Sequence, residues 1–438
     1  MRVIGLEQLE RLLSALPGTP RVVVSGNCST PWAAVAALDR ALPAYRIWVL
    51  NAACGLPDRD GVVAETPFVG PGTRRHHALQ YLPCRLSLVP QLFATTTAPD
   101  VVLVHCAPPE NGHLSLGAEV NVLPAALEAC RARGGLVVAV VNPAMPYTFG
   151  DALVDESWVD FTVEVDSPLP SPAHQVPDEA SQLVARRLAE RVPDGATLQM
   201  GIGAVPDAAV GGLVGRRGLG IWTEMFSDGL LTLERAGALD PDRPVTASFC
   251  FGSPELYEHV DHNPRIRMLR TEKTNSPALI AANPQMTSIN TALEVDLYGQ
   301  VNASRVGGSI YSGYGGQSDF VVGALHSRGG QALIALRSWH PRADISTIVP
   351  LLDEPVTSFQ PSAVVTEQGV APLFGRDQYA QARALIGDAA HPRVRDELWE
   401  EAGALGLIPR PDANQRAVGL IPRPDGNQHS ANRPSADH

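Results

Sequence analysis

Short apolar runs rich in valine alternate with segments of helical periodicity over the first 165 residues. The runs lie at residues 21–25, 46–50, 101–104 and 136–141. Between them, residues 31–42 and 123–131 carry the spacing of helices. Near-continuous apolar runs are typical of central strands covered on both faces. Because strands separated by helices pair in parallel through right-handed crossovers, the pattern predicts an α/β sheet.

A Pro-rich stretch, SPLPSPAHQVP at 167–177, interrupts this alternation, which then begins again. The second set of predicted elements comprises helices at 178–191, 206–213, 377–386 and 393–403, and strands at 197–200, 245–251, 287–297 and 363–366. The chain is therefore expected to contain two tandem open-sheet α/β domains, residues 1–170 and 178–405. Residues 171–177 are the predicted linker.

The C-terminal segment follows a different pattern. GLIPRPDANQ at 406–415 recurs as GLIPRPDGNQ at 419–428. Two copies are too few for a solenoid, which needs about three repeats. The enrichment in Pro, Asn, Asp and Ser predicts a disordered tail over 406–438 that carries no chemistry.

Charge and composition exclude several classes of function. The net charge of −12 leaves no surplus of basic residues for nucleic-acid binding. No stretch approaches the roughly 20 apolar residues of a membrane span, so a cytoplasmic protein is expected. Lys273 is the only lysine, and no Gly-Lys-Ser/Thr sequence exists for a P-loop. The six cysteines are scattered without the spacing of a zinc ribbon, and no metal site is expected.

A pair of carboxylates stands out near the middle of the second half. In residues 291–297 apolar positions alternate with Ala292, Glu294 and Asp296, so one strand would place both carboxylates on one face. Ligands of α/β proteins usually bind at strand ends, where Glu294 would lie. A half-exposed strand with a polar face fits the same pattern.

Three glycine-containing turns follow predicted strands: QMGIGAVP at 199–206, GYGGQSDF at 313–320 and TEQG at 366–369. Glycine permits backbone conformations that turn N–H groups toward an anion or a developing oxyanion. Tight structural turns explain each glycine equally well. Together with the carboxylate on a strand, the three turns suggest an acyl-transfer site.

Long segments of the second half resemble the acetyl-CoA hydrolase/transferase family, which includes 4-hydroxybutyrate and succinyl-CoA:acetate CoA-transferases. The resemblance is carried by residues 194–208, 219–230, 288–320, 364–376 and 390–398, with weaker matches at 81–93, 107–117 and 142–151. One departure is Tyr147, which stands where family members commonly carry a basic residue. The departure leaves the acyl specificity open.

This resemblance implies two domains of the CoA-transferase fold with the active site in the cleft between them. It implies that Glu294, in ALEVDLYGQVN, is the nucleophile. Backbone N–H groups are expected to bind an oxyanion or CoA at Gly201, Ile202, Gly203, Gly315, Gly316, Gln317 and Gly369. Glu224 and Asn302 are expected in the substrate pocket, and Asp296 is expected to be hydrogen-bonded and structural.

The function that follows from the resemblance is CoA transfer between a short-chain acyl-CoA and a carboxylic acid. It would run through an acyl-glutamyl anhydride and a glutamyl-CoA thioester. Coenzyme A and acyl-CoA are then substrates, no cofactor is permanently bound, and a homodimer or higher homo-oligomer is expected. Two alternatives stay open: an acyl-CoA hydrolase that uses the same glutamate, and a non-catalytic CoA-binding protein.

Overall fold

A parallel sheet of eight strands organises the first half of the chain. The computed structural model describes residues 1–172, 177–201 and 204–408. The strands of the first half are β1 (Arg2–Val3), β2 (Arg21–Val24), β3 (Tyr45–Val49), β4 (Val62–Thr66), β5 (Leu79–Tyr81), β6 (Val101–Cys106), β7 (His113–Ser115), β8 (Leu136–Val141), β9 (Phe149–Gly150), β10 (Leu153–Asp155) and β11 (Phe161–Glu164). The sheet order is β1-β11-β8-β6-β2-β3-β4-β5.

Helices of the first half follow the predicted alternation with these strands. They are α1 (Leu6–Ser14), α2 (Trp32–Ala41), α3 (Val89–Ala94) and α4 (Leu123–Ala132). Every residue of the valine-rich strand β6 is buried, as expected for a strand covered on both faces. The predicted strands and helices of this half are confirmed to within a few residues at their ends.

A second sheet, of nine strands, organises the rest of the chain in the order β28-β27-β23-β18-β12-β13-β15-β17-β9, and only its edge strand β28 runs antiparallel. The strands of this half are β12 (Thr197–Met200), β13 (Gly220–Trp222), β14 (Met225–Phe226), β15 (Val245–Ala247), β16 (Phe249–Cys250), β17 (Ile266–Met268), β18 (Thr287–Thr291), β19 (Glu294–Asp296), β20 (Val301–Asn302), β21 (Arg305–Val306), β22 (Ser309–Ile310), β23 (Gln331–Ala335), β24 (Trp339–His340), β25 (Ile345–Ser346), β26 (Ile348–Val349), β27 (Ala363–Val365) and β28 (Val370–Pro372). The helices are α5 (Glu179–Arg191), α6 (Ala204–Leu213), α7 (Gly229–Arg235), α8 (Pro254–Val260), α9 (Thr271–Thr274), α10 (Pro277–Ala281), α11 (Gln317–His326), α12 (Gln378–Ala384) and α13 (Arg395–Ala404).

The single strand predicted over 287–297 is wrong, because the chain changes sheets within it. β18 stays in the nine-stranded sheet, whereas β19 is the central strand of a separate sheet, β20-β19-β26. The backbone N–H of Leu293 donates to the carbonyl of Asn302 at 2.8 Å, which starts the new pairing. Alternation of polar and apolar positions continues through the break, so the pattern could not reveal it.

The two halves pack directly against each other. One hydrophobic core cluster contains Val23 and Val104 from the first half together with Leu198 and Met268 from the second. Strand β9 of the first half also pairs with β17 at the edge of the second sheet. The domain boundaries at 170 and 178 stay a prediction. Residues 173–176 of the expected linker and 409–438 of the expected tail lie outside the described residues.

A buried carboxylate ties together three neighbouring strands of the first sheet. Glu65 of β4 is 2% exposed and accepts from Nε of Arg21 on β2 at 2.7 Å. Its other oxygen accepts from a guanidinium nitrogen of Arg46 on β3, also at 2.7 Å. A carboxylate this deeply buried is stable only while its cationic partners remain.

We expect Glu65→Gln to lower the free energy of unfolding by about 2 kcal/mol, because two arginines lose their shared counter-charge. This loss of stability should be smaller than the loss on breaking a fully buried ion pair, because both arginines keep some contact with water. Urea unfolding at neutral pH measures it. Glu7→Gln is the control: it breaks an exposed pair with Arg11 and should cost under about 0.5 kcal/mol. Equal losses in the two variants would contradict the expectation.

Candidate active site

A cleft of about 350 Å³ lies at the carboxyl ends of β12 and β18, where the two halves meet. Met200 and Gly201 line it at the end of β12, and Asn290 and Thr291 at the end of β18. Phe68 of the first half lines it from the opposite side. Because parallel strands end at one edge of a sheet, the fold gathers these residues from distant parts of the chain.

Glu294 lies beside this cleft. It opens β19 and pairs with Asn302 of the antiparallel strand β20. The side-chain amide of Asn302 donates to Oε2 of Glu294 at 3.4 Å and to the carbonyl of Arg305 at 2.9 Å. Neighbouring Leu293 and Ala303 line the cleft, but Glu294 and Asn302 are not among its lining residues.

In the part of the chain that the structure describes, the carboxylate of Glu294 forms no ion pair. Across the ranges that the structure describes, no lysine, arginine or histidine lies within 4.0 Å of it. Glu294 is half-buried, whereas Val295 beside it is fully buried and anchors the strand in the core. Within the described ranges, the carboxylate of Glu294 therefore has no ion-pair partner, and the side-chain amide of Asn302 is its hydrogen-bond donor.

Asp296, on the same strand face, has a structural role, as the sequence predicted. It is 2% exposed and accepts backbone N–H groups from Tyr298 at 3.0 Å, Gln300 at 2.8 Å and Leu352 at 3.4 Å. The bonds from Tyr298 and Gln300 hold the turn that carries the chain from β19 to β20, and the bond from Leu352 ties that turn to the segment after β26. Burial raises the pKa of Asp296, and the three N–H donors oppose that shift.

The glycine loop over 311–316 is held in place by the first half. The N–H of Val69 donates to the carbonyl of Ser312 at 2.7 Å, and the N–H of Leu86 donates to that of Gly315 at 2.9 Å. A side chain at Gly313 would come within 2.5 Å of the carbonyl oxygen of Pro67. The absence of a Cβ there lets the two halves approach across the cleft.

Gly316 is the N-cap of α11, and Gln317 is the first residue of that helix. Both line the cleft together with Gly315. The side-chain amide of Gln317 donates to the carbonyl of Thr291 at 3.1 Å and so links α11 to the end of β18. The N–H groups of the first turn of a helix have no intrahelical partner, so this end of α11 can receive an oxyanion.

Glu224 also lines the cleft, and it packs against Gly316. Its Oε2 accepts from the side-chain amide of Asn275 at 3.1 Å. A Cβ at Gly316 would overlap both Oε2 of Glu224 and the amide nitrogen of Asn275. Burial raises the pKa of Glu224 to about 7, and the negative charge of Asp319 adds to the rise.

The remaining predicted glycines fall into two groups. Gly201 lines the cleft, whereas Ile202 and Gly203 lie outside the described residues. Gly369 does not line it; its carbonyl accepts from the N–H of Thr366 in a tight turn at 2.9 Å. That turn follows β27, two strands from β18 in the sheet, which corresponds to roughly 10 Å.

The sequence marked some segments that shape the cleft without indicating the contacts their residues make. Phe68 comes from the first half, where no motif marked it. Gln199 and Asn290 exchange two amide hydrogen bonds across β12 and β18, at 3.4 and 3.1 Å. Asp319 is buried and accepts from the hydroxyl of Ser87 at 3.0 Å. These contacts depend on which strands and loops become neighbours, which a linear pattern does not specify.

A group of side chains that could hold a metal ion lies apart from the cleft lining. Within the described residues this group is Asp58, His76 and His77. None of the helices within residues 1–172, 177–201 and 204–408 has the length and apolar character needed to cross a membrane.

Comparison with known proteins agrees with the fold and with the motifs. Residues 252–402 match the model of the acetyl-CoA hydrolase/transferase C-terminal domain. The 4-hydroxybutyrate coenzyme A transferase of Clostridium kluyveri is 37% identical over 349 residues, which cover 76% of this chain and 80% of that protein. The succinyl-CoA:acetate/propanoyl-CoA:succinate CoA transferase of Fasciola hepatica is 39% identical over 350 residues, covering 76% and 71%.

A solved structure extends the match to the complete fold. The 4-hydroxybutyrate CoA-transferase of Porphyromonas gingivalis superposes with a TM-score of 0.76 at 31% identity, covering 92% of this chain and 98% of that one. The predicted α/β architecture of the CoA-transferase fold is thereby confirmed. The match to the Clostridium protein spans four fifths of that relative's length. The chain therefore belongs to the acetyl-CoA hydrolase/transferase family.

Proposed function

We propose that the protein transfers coenzyme A between an acyl-CoA and a carboxylic acid, with Glu294 as the nucleophile. The observation that carries the proposal is a carboxylate without a cationic partner in the described ranges, set beside a cleft that the two halves form together. The family membership and the transferase names of its relatives support the same activity.

The reaction begins when a carboxylate oxygen of Glu294 attacks the carbonyl carbon of the acyl-CoA thioester. The C–S bond breaks, and CoA thiolate leaves behind an acyl-glutamyl anhydride. The thiolate then attacks the glutamyl carbonyl, the anhydride C–O bond breaks, and the first acid departs as its carboxylate. Glu294 now carries CoA as a thioester, and the acceptor carboxylate reverses both steps to give the new acyl-CoA.

Each of these steps passes through a tetrahedral oxyanion, which needs donors already in place. Backbone N–H groups of Gly315, Gly316 and Gln317, at the start of α11, are the proposed donors on one side of the cleft. Gly201 contributes from the end of β12. Because Gly369 lies two strands away, its turn is proposed to contact the CoA chain and not the acyl carbonyl.

An acyl-CoA hydrolase is the second candidate, because the family includes hydrolases as well as transferases. The two activities share the glutamyl-CoA thioester and differ in whether water or a carboxylate resolves it. Thioester loss with and without added acetate separates them. The expected homodimer and cytoplasmic location stay predictions.

Replacing the nucleophile is the direct test. We expect Glu294→Ala and Glu294→Gln to lower kcat by about 10³-fold or more, because both variants lack the carboxylate that forms the anhydride in the proposed mechanism. Incubation of the wild type with acyl-CoA, followed by hydroxylamine and mass analysis, should label the peptide containing Glu294. Glu190→Gln, at an exposed position on α5, is the control and should keep wild-type turnover. Full activity in Glu294→Ala would end the proposal.

The packing of Gly316 against Glu224 gives a second test. Gly316→Ala should lower kcat/KM by about 10- to 100-fold, because the new methyl group displaces Glu224 and shifts the start of α11. The cost in stability should be about 1–3 kcal/mol. Kinetics and urea unfolding measure the two effects separately.

Gly403→Ala is the matched control. Gly403 lies in α13, and a methyl group added there would have no heavy atom outside its own helix within 4 Å. The position should therefore tolerate alanine or gain up to about 1 kcal/mol. If Gly316→Ala and Gly403→Ala show the same kinetics, the contact between Gly316 and Glu224 does not shape the site.

A further inference from the structure

Resting on the proposed function, we propose that the acid substrate is a monocarboxylate whose chain is uncharged and carries a hydrogen-bonding group such as a hydroxyl. In this proposal Glu224 rejects acids with a second carboxylate. The relatives act on both kinds of acid according to their names, so family membership alone does not choose between them.

The first argument is the charge of the cleft. Its described lining contains no lysine, arginine or histidine, and its one ionisable carboxyl group is Glu224. A dicarboxylate would bring a second negative charge into this site without a cation to receive it. Burying an unpaired charge is strongly unfavourable, so such an acid should bind poorly.

Arg74, at the rim of the cleft, already binds Tyr311. Nε of Arg74 donates to the carbonyl of Tyr311 at 2.8 Å, and its guanidinium carbon lies 3.7 Å from the centre of the Tyr311 ring. Tyr311 lines the cleft, whereas Arg74 does not. Arg74 therefore holds the rim and does not supply a charge inside the cleft.

The second argument is the position of Glu224. Its Oε2 is fixed by Asn275 and by the close approach of Gly316, while its Oε1 has no hydrogen-bond partner within the described parts of the chain. That oxygen can bind a hydroxyl group of a substrate. A second carboxylate in the same place would meet the carboxyl of Glu224 and the negative field of Asp319 behind it.

Among the described residues, the other groups that contact Glu224 are neutral. Asn275 approaches from the turn before α10, and the N–H groups of Ser248 and Phe249 donate to the backbone carbonyl of Glu224 at 2.9 and 3.1 Å. Asp319 on α11 is the charged group beside them. With a pKa of about 7, Glu224 is largely protonated at pH 6 and largely ionised at pH 8, so repulsion of a second carboxylate should grow as the pH rises.

The rest of the lining suits a polar but uncharged chain. The amides of Gln199, Asn290 and Gln317 and the hydroxyls of Tyr311 and Ser312 are among the lining groups. Phe68, Ile289 and Leu293 supply apolar surface between them. A short aliphatic chain with one hydroxyl matches this mixture.

The test compares three four-carbon acceptors, with acetyl-CoA as the donor: 4-hydroxybutyrate, butyrate and succinate. For the wild type at pH 7 we expect kcat/KM to be at least about 10-fold higher for 4-hydroxybutyrate than for succinate, with butyrate in between. The ratio should increase between pH 6 and pH 8. In Glu224→Gln, which removes the charge and keeps the size, it should fall by about 5-fold or more. Its dependence on pH should become weaker, and what remains reflects Asp319, whose pKa burial raises to about 6.

Glu190→Gln is again the control and should reproduce the wild-type ratio at every pH. Succinate used as well as 4-hydroxybutyrate by the wild type would overturn the inference, as would an unchanged ratio in Glu224→Gln. If Glu224→Gln does not fold, the wild-type measurements from pH 6 to pH 8 decide alone. The inference is then overturned if the ratio of kcat/KM for 4-hydroxybutyrate to that for succinate does not rise toward pH 8. Transfer to none of the three acids would mean instead that the proposed function itself is wrong.

Discussion

The cleft depends on the contact between the loop at 311–316 and the first half of the chain. Backbone hydrogen bonds from Val69 and Leu86 hold this loop, and the missing side chain of Gly313 allows the approach. Since Gly316 is the N-cap of α11 and Gly315 precedes it, the same contact holds the start of that helix at the cleft. A change in how the halves pack would therefore move the proposed oxyanion donors as a group.

The position of Glu294 follows from a local break in the second sheet. After β18 the chain leaves the nine-stranded sheet and pairs with β20, which brings the carboxylate beside the cleft instead of into the core. Val295 and the hydrogen-bonded Asp296 fix the strand behind it. A carboxylate on a strand that is anchored from behind is held by the scaffold, as a nucleophile requires.

The two carboxyl groups near the cleft are placed in different environments. Glu294 meets an amide of Asn302 and is half-buried, whereas Glu224 is packed against Gly316 and Asn275 with Asp319 close by. Burial raises the pKa of Glu224, so two acids of the same type can take different roles at neutral pH. In the proposed function, one forms the covalent intermediate and the other selects the acid that enters.

The sequence alone determined the α/β class, the position of most strands and helices, and Glu294 as the leading candidate for chemistry. Apolar runs and helical periodicity are local properties, and long motifs carry a family resemblance without any knowledge of contacts. Tertiary structure decided the rest: the change of sheets between β18 and β19, the place of Phe68 in the cleft lining, the hydrogen bond from Leu86 to Gly315, and the packing of Glu224 on Gly316. Each of these depends on which strands, helices and loops become neighbours in the folded chain, and the alternation of polar and apolar residues does not specify those neighbours.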